Sequence, residues 1–67
     1  MKNEYTITKV RGIESELKLL GIQKARFLEE AAIAPPQWSE YGRGHRSPSL
    51  ETWARAENAL RKIKDEA

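Results

Sequence analysis

Residues 20–50 decide the fold, and they read LGIQKARFLEEAAIAPPQWSEYGRGHRSPSL. Two short segments of this stretch carry apolar residues three and four positions apart, namely Phe27, Leu28 and Ala31 in the first and Trp38 and Tyr41 in the second. Residues at this spacing share one face of an α-helix, so each segment presents an apolar side to a core. The stretch therefore predicts a helix over about residues 23–31, a tight turn over residues 32–34, and a second helix that ends at Gly42 or Gly44.

A pair of prolines, Pro35 and Pro36, marks the start of the second helix rather than a break. The first N–H groups of a helix have no partner within it, so two prolines are tolerated there. Pro35 also disfavours the α conformation at Ala34, as the residue before a helix requires. Serine before proline gives the same signal at Ser47-Pro48, where we expect the N-cap of a last helix that runs to about Lys64.

The N-terminal part of the chain is less regular. Apolar residues at helical spacing are Val10, Ile13, Leu17 and Leu20. They predict a helix from about Gly12 to Leu20, which Gly21 is suited to end. Tyr5–Val10 is rich in β-branched residues and favours extended backbone. A single strand has no partner in a helical chain, so residues 1–11 are an arm, the first turn of helix 1, or a strand completed by a second copy.

The size and composition of the chain bound its function. It has 67 residues, no cysteine and one histidine. A domain this small buries only about 60% of its unfolded surface, which leaves little room for a substrate cleft. His45 has no cysteine or second ligand at a suitable spacing, so we expect no enzyme, no metal, no cofactor and no small-molecule substrate. The short apolar runs predict neither a membrane span nor a signal peptide, and the missing disulfides favour the cytoplasm.

The charge pattern is informative only locally. A net charge of +2 is mildly basic and does not by itself indicate a nucleic-acid partner. The one basic cluster near the second helix follows its end and contains Arg43, His45 and Arg46. Such a cluster suits phosphate binding, but it is also typical of an ordinary solvated loop. Trp38 and Tyr41 share one helix face, so we expect them in the core rather than stacked on bases.

The stretch from Leu20 to Leu60 resembles the phage repressor/Cro-type helix-turn-helix family of DNA-binding proteins. The residues that carry the resemblance, in step and without a gap, are Phe27-Leu28, Ala31, Ile33, Trp38-Ser39, Tyr41, Arg43-Gly44 and Pro48-Ser49-Leu50. The resemblance implies an all-α, lambda-repressor-like compact bundle of about five short helices with a central helix-turn-helix. Residues 12–64 would form the DNA-binding domain, residues 1–11 an arm or the start of helix 1, and residues 65–67 a frayed C-terminus.

The resemblance also implies three groups of DNA-contacting residues. The first opens the first helix of the motif and meets phosphate, the second lies on the outward face of the second helix and meets bases, and the third follows in the loop and meets phosphate. These groups are Gln23 and Lys24; Pro35, Pro36, Gln37 and Glu40; and Arg43, His45 and Arg46. Within the second group, Gln37 suits adenine, Glu40 suits the amine of cytosine, and the prolines suit thymine methyl groups.

Three residues depart from the family pattern. Ala32 replaces the usual glycine of the turn, where a positive φ costs an alanine about 1 kcal/mol. Gly42 replaces a glutamate near the end of the second helix, so a local ion pair is expected to be missing. Pro35-Pro36 stands where the family places polar base-contacting residues, and proline offers no side-chain donor.

Two functions follow as expectations. The first is a sequence-specific DNA-binding transcriptional regulator, a Cro-like repressor of phage or prophage type that acts as a homodimer on double-stranded DNA. The second is a protein-interaction module on the same fold, such as an antitoxin or adaptor with weak DNA recognition. Convergence of the cations on one face favours DNA, the set being Lys24, Arg26, Arg43 and Arg46. Dominance of glutamates on that face favours the interaction module, the set being Glu29, Glu30 and Glu40.

Overall fold

The computed structural model describes residues 3–66, so Met1, Lys2 and Ala67 lie outside the following description. Within these residues the chain forms four helices and no strand: α1 (Glu4–Leu20), α2 (Lys24–Ala31), α3 (Pro35–Gly42) and α4 (Leu50–Glu66). The predicted all-α class is confirmed. The expectation of about five helices is wrong for the described residues, because residues 50–66 contain no glycine or proline and form one continuous helix. None of these helices is long and apolar enough to cross a membrane.

Helix α1 begins well before Gly12, the point at which its periodicity becomes clear in the sequence. Asn3 is its N-cap, and the Oδ1 of Asn3 accepts a hydrogen bond from the backbone N–H of Thr6 at 3.0 Å. Thr6 and Val10 are each 1% exposed, so burial outweighs the extended preference of these β-branched residues. Of the three alternatives for residues 1–11, the helical one holds for residues 4–11, while Met1 and Lys2 are not described.

Three helices end in the same way, with one residue in the left-handed conformation. This residue is Gly21 after α1 (φ 70°), Ala32 after α2 (φ 57°) and Gly44 after α3 (φ 76°). In each case the following N–H bonds to a carbonyl five residues back, the pairs being Ile22 to Leu17, Ile33 to Leu28 and His45 to Glu40. This is the Schellman arrangement, in which glycine is the usual residue. Ala32 adopts the positive φ in spite of its Cβ, at a cost of about 1 kcal/mol.

Helix α4 starts later than the sequence predicts. Its N-cap is Ser49, whose Oγ accepts a hydrogen bond from the backbone N–H of Thr52 at 3.2 Å. The prediction of Ser47 as N-cap is therefore wrong, because its Oγ is engaged with Thr6 of α1 instead, at 3.2 Å. In the segment between α3 and α4, Ser47 thus bonds to α1 and Ser49 caps α4.

Ion pairs fasten α4 to the helices beside it. The four pairs are Lys9–Glu57 (2.9 Å), Glu16–Lys64 (2.8 Å), Arg26–Glu66 (2.5 Å) and Glu30–Lys62 (2.6 Å). The two pairs to α1 share one sequence offset, so α1 and α4 run in the same direction. The pair at Glu66 fits the finding that residues 65–66 stay helical, where fraying over 65–67 was expected. The hydrogen bond that Lys9 donates to Glu57 raises the pKa of Lys9, and the one that Lys62 donates to Glu30 raises the pKa of Lys62.

The core lies where α2 and α3 meet, with α1 and α4 packed on either side. The ring of Trp38 is central, because it meets Phe27 edge to face at 5.3 Å and Tyr41 at 6.4 Å between ring centroids. Its Nε1 donates a hydrogen bond to Glu14 of α1 at 3.1 Å, which satisfies the one polar atom of the indole. The predicted core positions of Trp38 and Tyr41 are confirmed, and Trp53 is buried as well.

Candidate nucleic-acid interface

Helices α2 and α3 form a close pair joined by only three residues, Ala32–Ala34. The apolar residues of this pair on which the family resemblance depends are all buried: Phe27, Leu28, Ala31, Ile33, Trp38 and Tyr41. Two large aromatic side chains that both face inward fix the rotation of α3 about its own axis, because a packed interior leaves them no second position. The opposite face of α3 is consequently presented to solvent.

The exposed face of α3 consists of Pro35, Pro36 and Ser39, and Arg43 continues it beyond the last turn. Ser39 was not among the residues predicted to contact bases. The helical period alone identifies it, since Ser39 lies three positions after Pro36 and four before Arg43. The face is therefore apolar at its start, carries one hydroxyl in the middle and becomes cationic at its end.

The N-terminus of α3 offers few donors to a ligand. Pro35 and Pro36 occupy its first two positions and have no N–H. Ala34 precedes them as N-cap without a side-chain hydrogen bond, and the N–H of Trp38 already bonds to the carbonyl of Ala34 at 3.0 Å. Anion binding of the kind common at helix N-termini is thus weakened here, and the surface favours apolar contact.

Gln37 and Glu40, the two predicted polar base-contacting residues, are half-buried and already have partners within the chain. The Nε2 of Gln37 donates to the hydroxyl of Tyr41 at 2.5 Å. The carboxylate of Glu40 uses both oxygens, one toward Nη2 of Arg43 at 3.2 Å and the other toward Nδ1 of His45 at 3.1 Å. Glu40 therefore holds two side chains of the following loop in place, a role that sequence analysis did not assign to it.

The loop between α3 and α4, residues 43–49, is called the basic loop below. Arg43, His45 and Arg46 are exposed on it, whereas Gly44 and Pro48 are buried. Its first part is held by backbone hydrogen bonds from the N–H of Gly44 and of His45 to carbonyls of α3, both at 3.0 Å. The backbone at the start of the loop is thus held against α3, while the side chains of Arg43, His45 and Arg46 are exposed.

The start of α2 is a second cationic place. Gln23 is its N-cap without a side-chain hydrogen bond, and the first turn contains Lys24 and Arg26 but no acidic residue. Cations at this end oppose the helix dipole and leave a positive potential that suits an anion. Lys24 lies 3.7 Å from a carboxylate oxygen of Glu14 in α1, and Arg26 extends toward Glu66 at the end of α4.

The predicted DNA-contacting residues come together only in part. Arg43, His45 and Glu40 form one group at the end of α3, and Gln23 and Lys24 lie together at the start of α2. Arg26 points away toward α4, so the cations do not all converge on one face. Three of them, Lys24, Arg26 and Arg43, each have a glutamate beside them.

No group of three or more acidic or histidine side chains within residues 3–66 is arranged to hold a metal ion. Comparison of the chain with protein-family models, with curated proteins and with solved structures gives no match.

Proposed function

We propose that the chain is a sequence-specific DNA-binding transcriptional regulator, a Cro-like repressor of phage or prophage type that acts in the cytoplasm. The orientation of α3 carries the proposal, because its buried Trp38 and Tyr41 leave Pro35, Pro36 and Ser39 on an exposed face. Helix-turn-helix proteins insert a short helix of this kind, held beside a second helix, into the major groove.

The dimensions of α3 support this mode of binding and a homodimer. An α-helix with its side chains is about 10–12 Å across, which fits a major groove about 12 Å wide, and the eight residues of α3 make it about 12 Å long. A helix of this length covers only a half-site, so two copies are needed for a complete operator. Their α3 helices are expected about 34 Å apart, one turn of DNA, on a palindromic sequence.

Base recognition in this proposal is divided between polar and apolar contacts. Gln37 keeps one N–H and its carbonyl oxygen beyond the bond to Tyr41, which is what a bidentate contact with adenine uses. Ser39 can bond to several bases, and the rings of Pro35 and Pro36 fit against thymine methyl groups. Such a face gives modest discrimination, which leaves much of the affinity to phosphate contacts.

Phosphate contacts are proposed for the basic loop and for the start of α2. The guanidinium of Arg43 has five N–H donors, so the bond to Glu40 leaves others for a phosphate oxygen. His45 and Arg46 lie beside it on the same exposed loop. At the start of α2, the side chain of Lys24 and the unpaired first backbone N–H groups suit a second phosphate.

Selection of bound duplexes from a random DNA pool, followed by a salt titration of the enriched sequence, tests the proposal. An enriched palindrome with half-sites one helical turn apart, and an affinity that falls steeply with salt, is the expected result. Weak salt-sensitive binding without enrichment would contradict sequence-specific regulation.

The second candidate, a protein-interaction module such as an antitoxin or adaptor, is favoured by one observation. Lys24, Arg26 and Arg43 all face glutamates, which reduces the positive potential available to DNA. The prolines at the start of α3 add an apolar surface of the kind that protein partners cover. This candidate predicts that the random pool yields no consensus and that replacing Glu40 by glutamine leaves DNA binding negligible.

A further inference from the structure

A polar cluster joins the first turn of α1 to the basic loop, and it consists of Asn3, Thr6 and Ser47. The side-chain amide of Asn3 donates a hydrogen bond to the Oγ of Ser47. The Oγ1 of Thr6 lies 3.2 Å from the same oxygen. The backbone N–H of Asn3 also donates to the carbonyl of Gly44 at 3.2 Å. Residues at the two ends of this cluster are far apart in sequence, so it is a tertiary contact and not a local turn.

The approach of the two segments is close. A Cβ placed on Gly44 would lie 2.7 Å from Cδ1 of Ile7 and 3.1 Å from the backbone nitrogen of Asn3. The backbone of the basic loop at Gly44 therefore packs directly against the start of α1, and the hydrogen bonds of the polar cluster add to this contact. Thr6 is 1% exposed, and a buried hydroxyl without a partner is costly, so the bond to Ser47 satisfies a group that burial would otherwise penalise.

Helix capping does not account for this cluster. The Oδ1 of Asn3 caps α1 and the Oγ of Ser49 caps α4, but Ser47 caps neither helix. The hydroxyl of Ser47 contacts Asn3 and Thr6, at the start of α1. Its position in the chain is immediately after Arg46 and two residues after His45.

We propose that Asn3, Thr6 and Ser47 are positioning residues that hold the basic loop in the conformation that contacts phosphate. The inference rests on the proposed DNA-binding function, because it assigns the supporting residues of that site. A loop fixed before binding loses less conformational entropy when it meets DNA, so the cluster raises affinity without touching DNA itself. The cluster increases the part of the DNA affinity that comes from Arg43, His45 and Arg46, and it does not change which bases are preferred.

Two serines of the basic loop, Ser47 and Ser49, provide a matched test. Ser47→Ala removes the cluster, whereas Ser49→Ala removes the cap of α4, and each loses one hydroxyl without changing charge. In the full chain we expect amide hydrogen exchange at Gly44 and His45 to accelerate about tenfold more in Ser47→Ala than in Ser49→Ala, as the loss of about one hydrogen bond predicts. Ser47→Thr keeps the hydroxyl and should restore slow exchange.

The DNA measurement uses a mixed-sequence duplex at several salt concentrations. Ser47→Ala should raise Kd about three- to tenfold and lower the salt-dependence slope by about one phosphate contact, while Ser49→Ala changes neither. Equal exchange rates in the two alanine variants would overturn the positioning role, whatever the DNA result. If the unaltered chain binds no duplex, the DNA-binding function itself fails, and the proposal fails with it.

Thr6→Val gives an independent variant should Ser47→Ala prove too unstable to study. It keeps the buried shape of Thr6 and removes only the hydroxyl. Faster exchange at Gly44 and His45 together with a lower salt slope would support the proposal. An unchanged slope in a folded Thr6→Val protein that binds DNA would contradict it.

Discussion

The two connections that flank α3 differ in how they are held. The turn before it, residues 32–34, contains a left-handed alanine and the buried Ile33, and its backbone bonds lead only to α2 and α3, the two helices that it joins. The basic loop after α3 contains a left-handed glycine and depends on side chains of α1. The first connection is stabilised locally and by apolar packing, whereas the second has local bonds to α3 and is stabilised in addition by a remote segment. The direction of α3 and the placement of its cations are therefore set by different parts of the chain.

Replacement of Gly44 by alanine should break the basic loop most severely. The φ of 76° disfavours a Cβ, and that Cβ would meet Ile7 at 2.7 Å, so we expect a loss of about 2–4 kcal/mol in the free energy of unfolding. Chemical denaturation measures this loss. Gly12→Ala is the control, because nothing lies within 4 Å of its Cβ and alanine is the better helix former, and it should stabilise the chain slightly. Equal effects of the two changes would refute the close approach.

The contribution of α3 itself is tested by Gln37→Ala. If Gln37 contacts adenine in the groove, discrimination at one base pair should fall by about 1–3 kcal/mol while affinity for unrelated duplexes stays the same. Binding to the selected operator and to its single-base variants measures this. An unchanged preference would remove Gln37 from the base-contacting residues and leave it as a partner of Tyr41.

Arg43→Ala tests, in the same binding assay, the phosphate contact proposed for the basic loop. Loss of one phosphate contact should weaken binding to all duplexes about equally and lower the salt slope by about one. The partner variant Glu40→Gln releases Arg43 and His45 from a carboxylate, so it should strengthen binding to any duplex. If Arg43→Ala changed the preferred sequence instead, Arg43 would be a base-contacting residue.

Ala32→Gly tests the cost of the unusual turn. Glycine accepts a φ of 57° without strain, but its greater unfolded entropy offsets part of the gain of about 1 kcal/mol, so the variant should be more stable by about 0–0.6 kcal/mol. Gly21→Ala is the reverse change at the matching end of α1, and it should destabilise by a similar amount. Thermal or chemical denaturation measures the stability of both variants. A destabilised Ala32→Gly protein would show that contacts of the Ala32 Cβ stabilise the fold by more than the backbone strain costs.

The smallest expected effect concerns the ion pair between Lys9 and Glu57. Its hydrogen bond raises the pKa of Lys9 above the ordinary value of 10.5, so its stabilisation is present below that pH and is lost as the pH rises through the raised value. The difference in unfolding free energy between the original chain and Lys9→Met should be small, since the pair is largely solvated, and should shrink above pH 10.5. A difference that grew with pH would contradict this assignment.

The region before α3 could be predicted from the sequence, because its signals are local. Apolar spacing gave α2 and α3, and proline placement gave the start of α3. The region after α3 could not be predicted to the same depth. The proline after Ser47 favours Ser47 as the N-cap, and only the contacts of Ser47 with Asn3 and Thr6 show why Ser49 caps the helix instead. The two bonds of Glu40 were missed for a related reason, since they depend on how the loop turns back at Gly44.

The contact between Asn3 and Ser47 has a consequence for the chain during its synthesis. The two residues are separated by 44 positions, so Asn3 is made well before its partner. At translation rates of about 5–20 residues per second, the interval is roughly 2–9 s. Throughout that time both residues of the α1 cap, Asn3 and Thr6, are present, but the basic loop that contacts them has not yet been made. The seat of the basic loop is therefore completed late, after α2 and α3 have been made, and a nascent chain that stops short of Ser47 never acquires it.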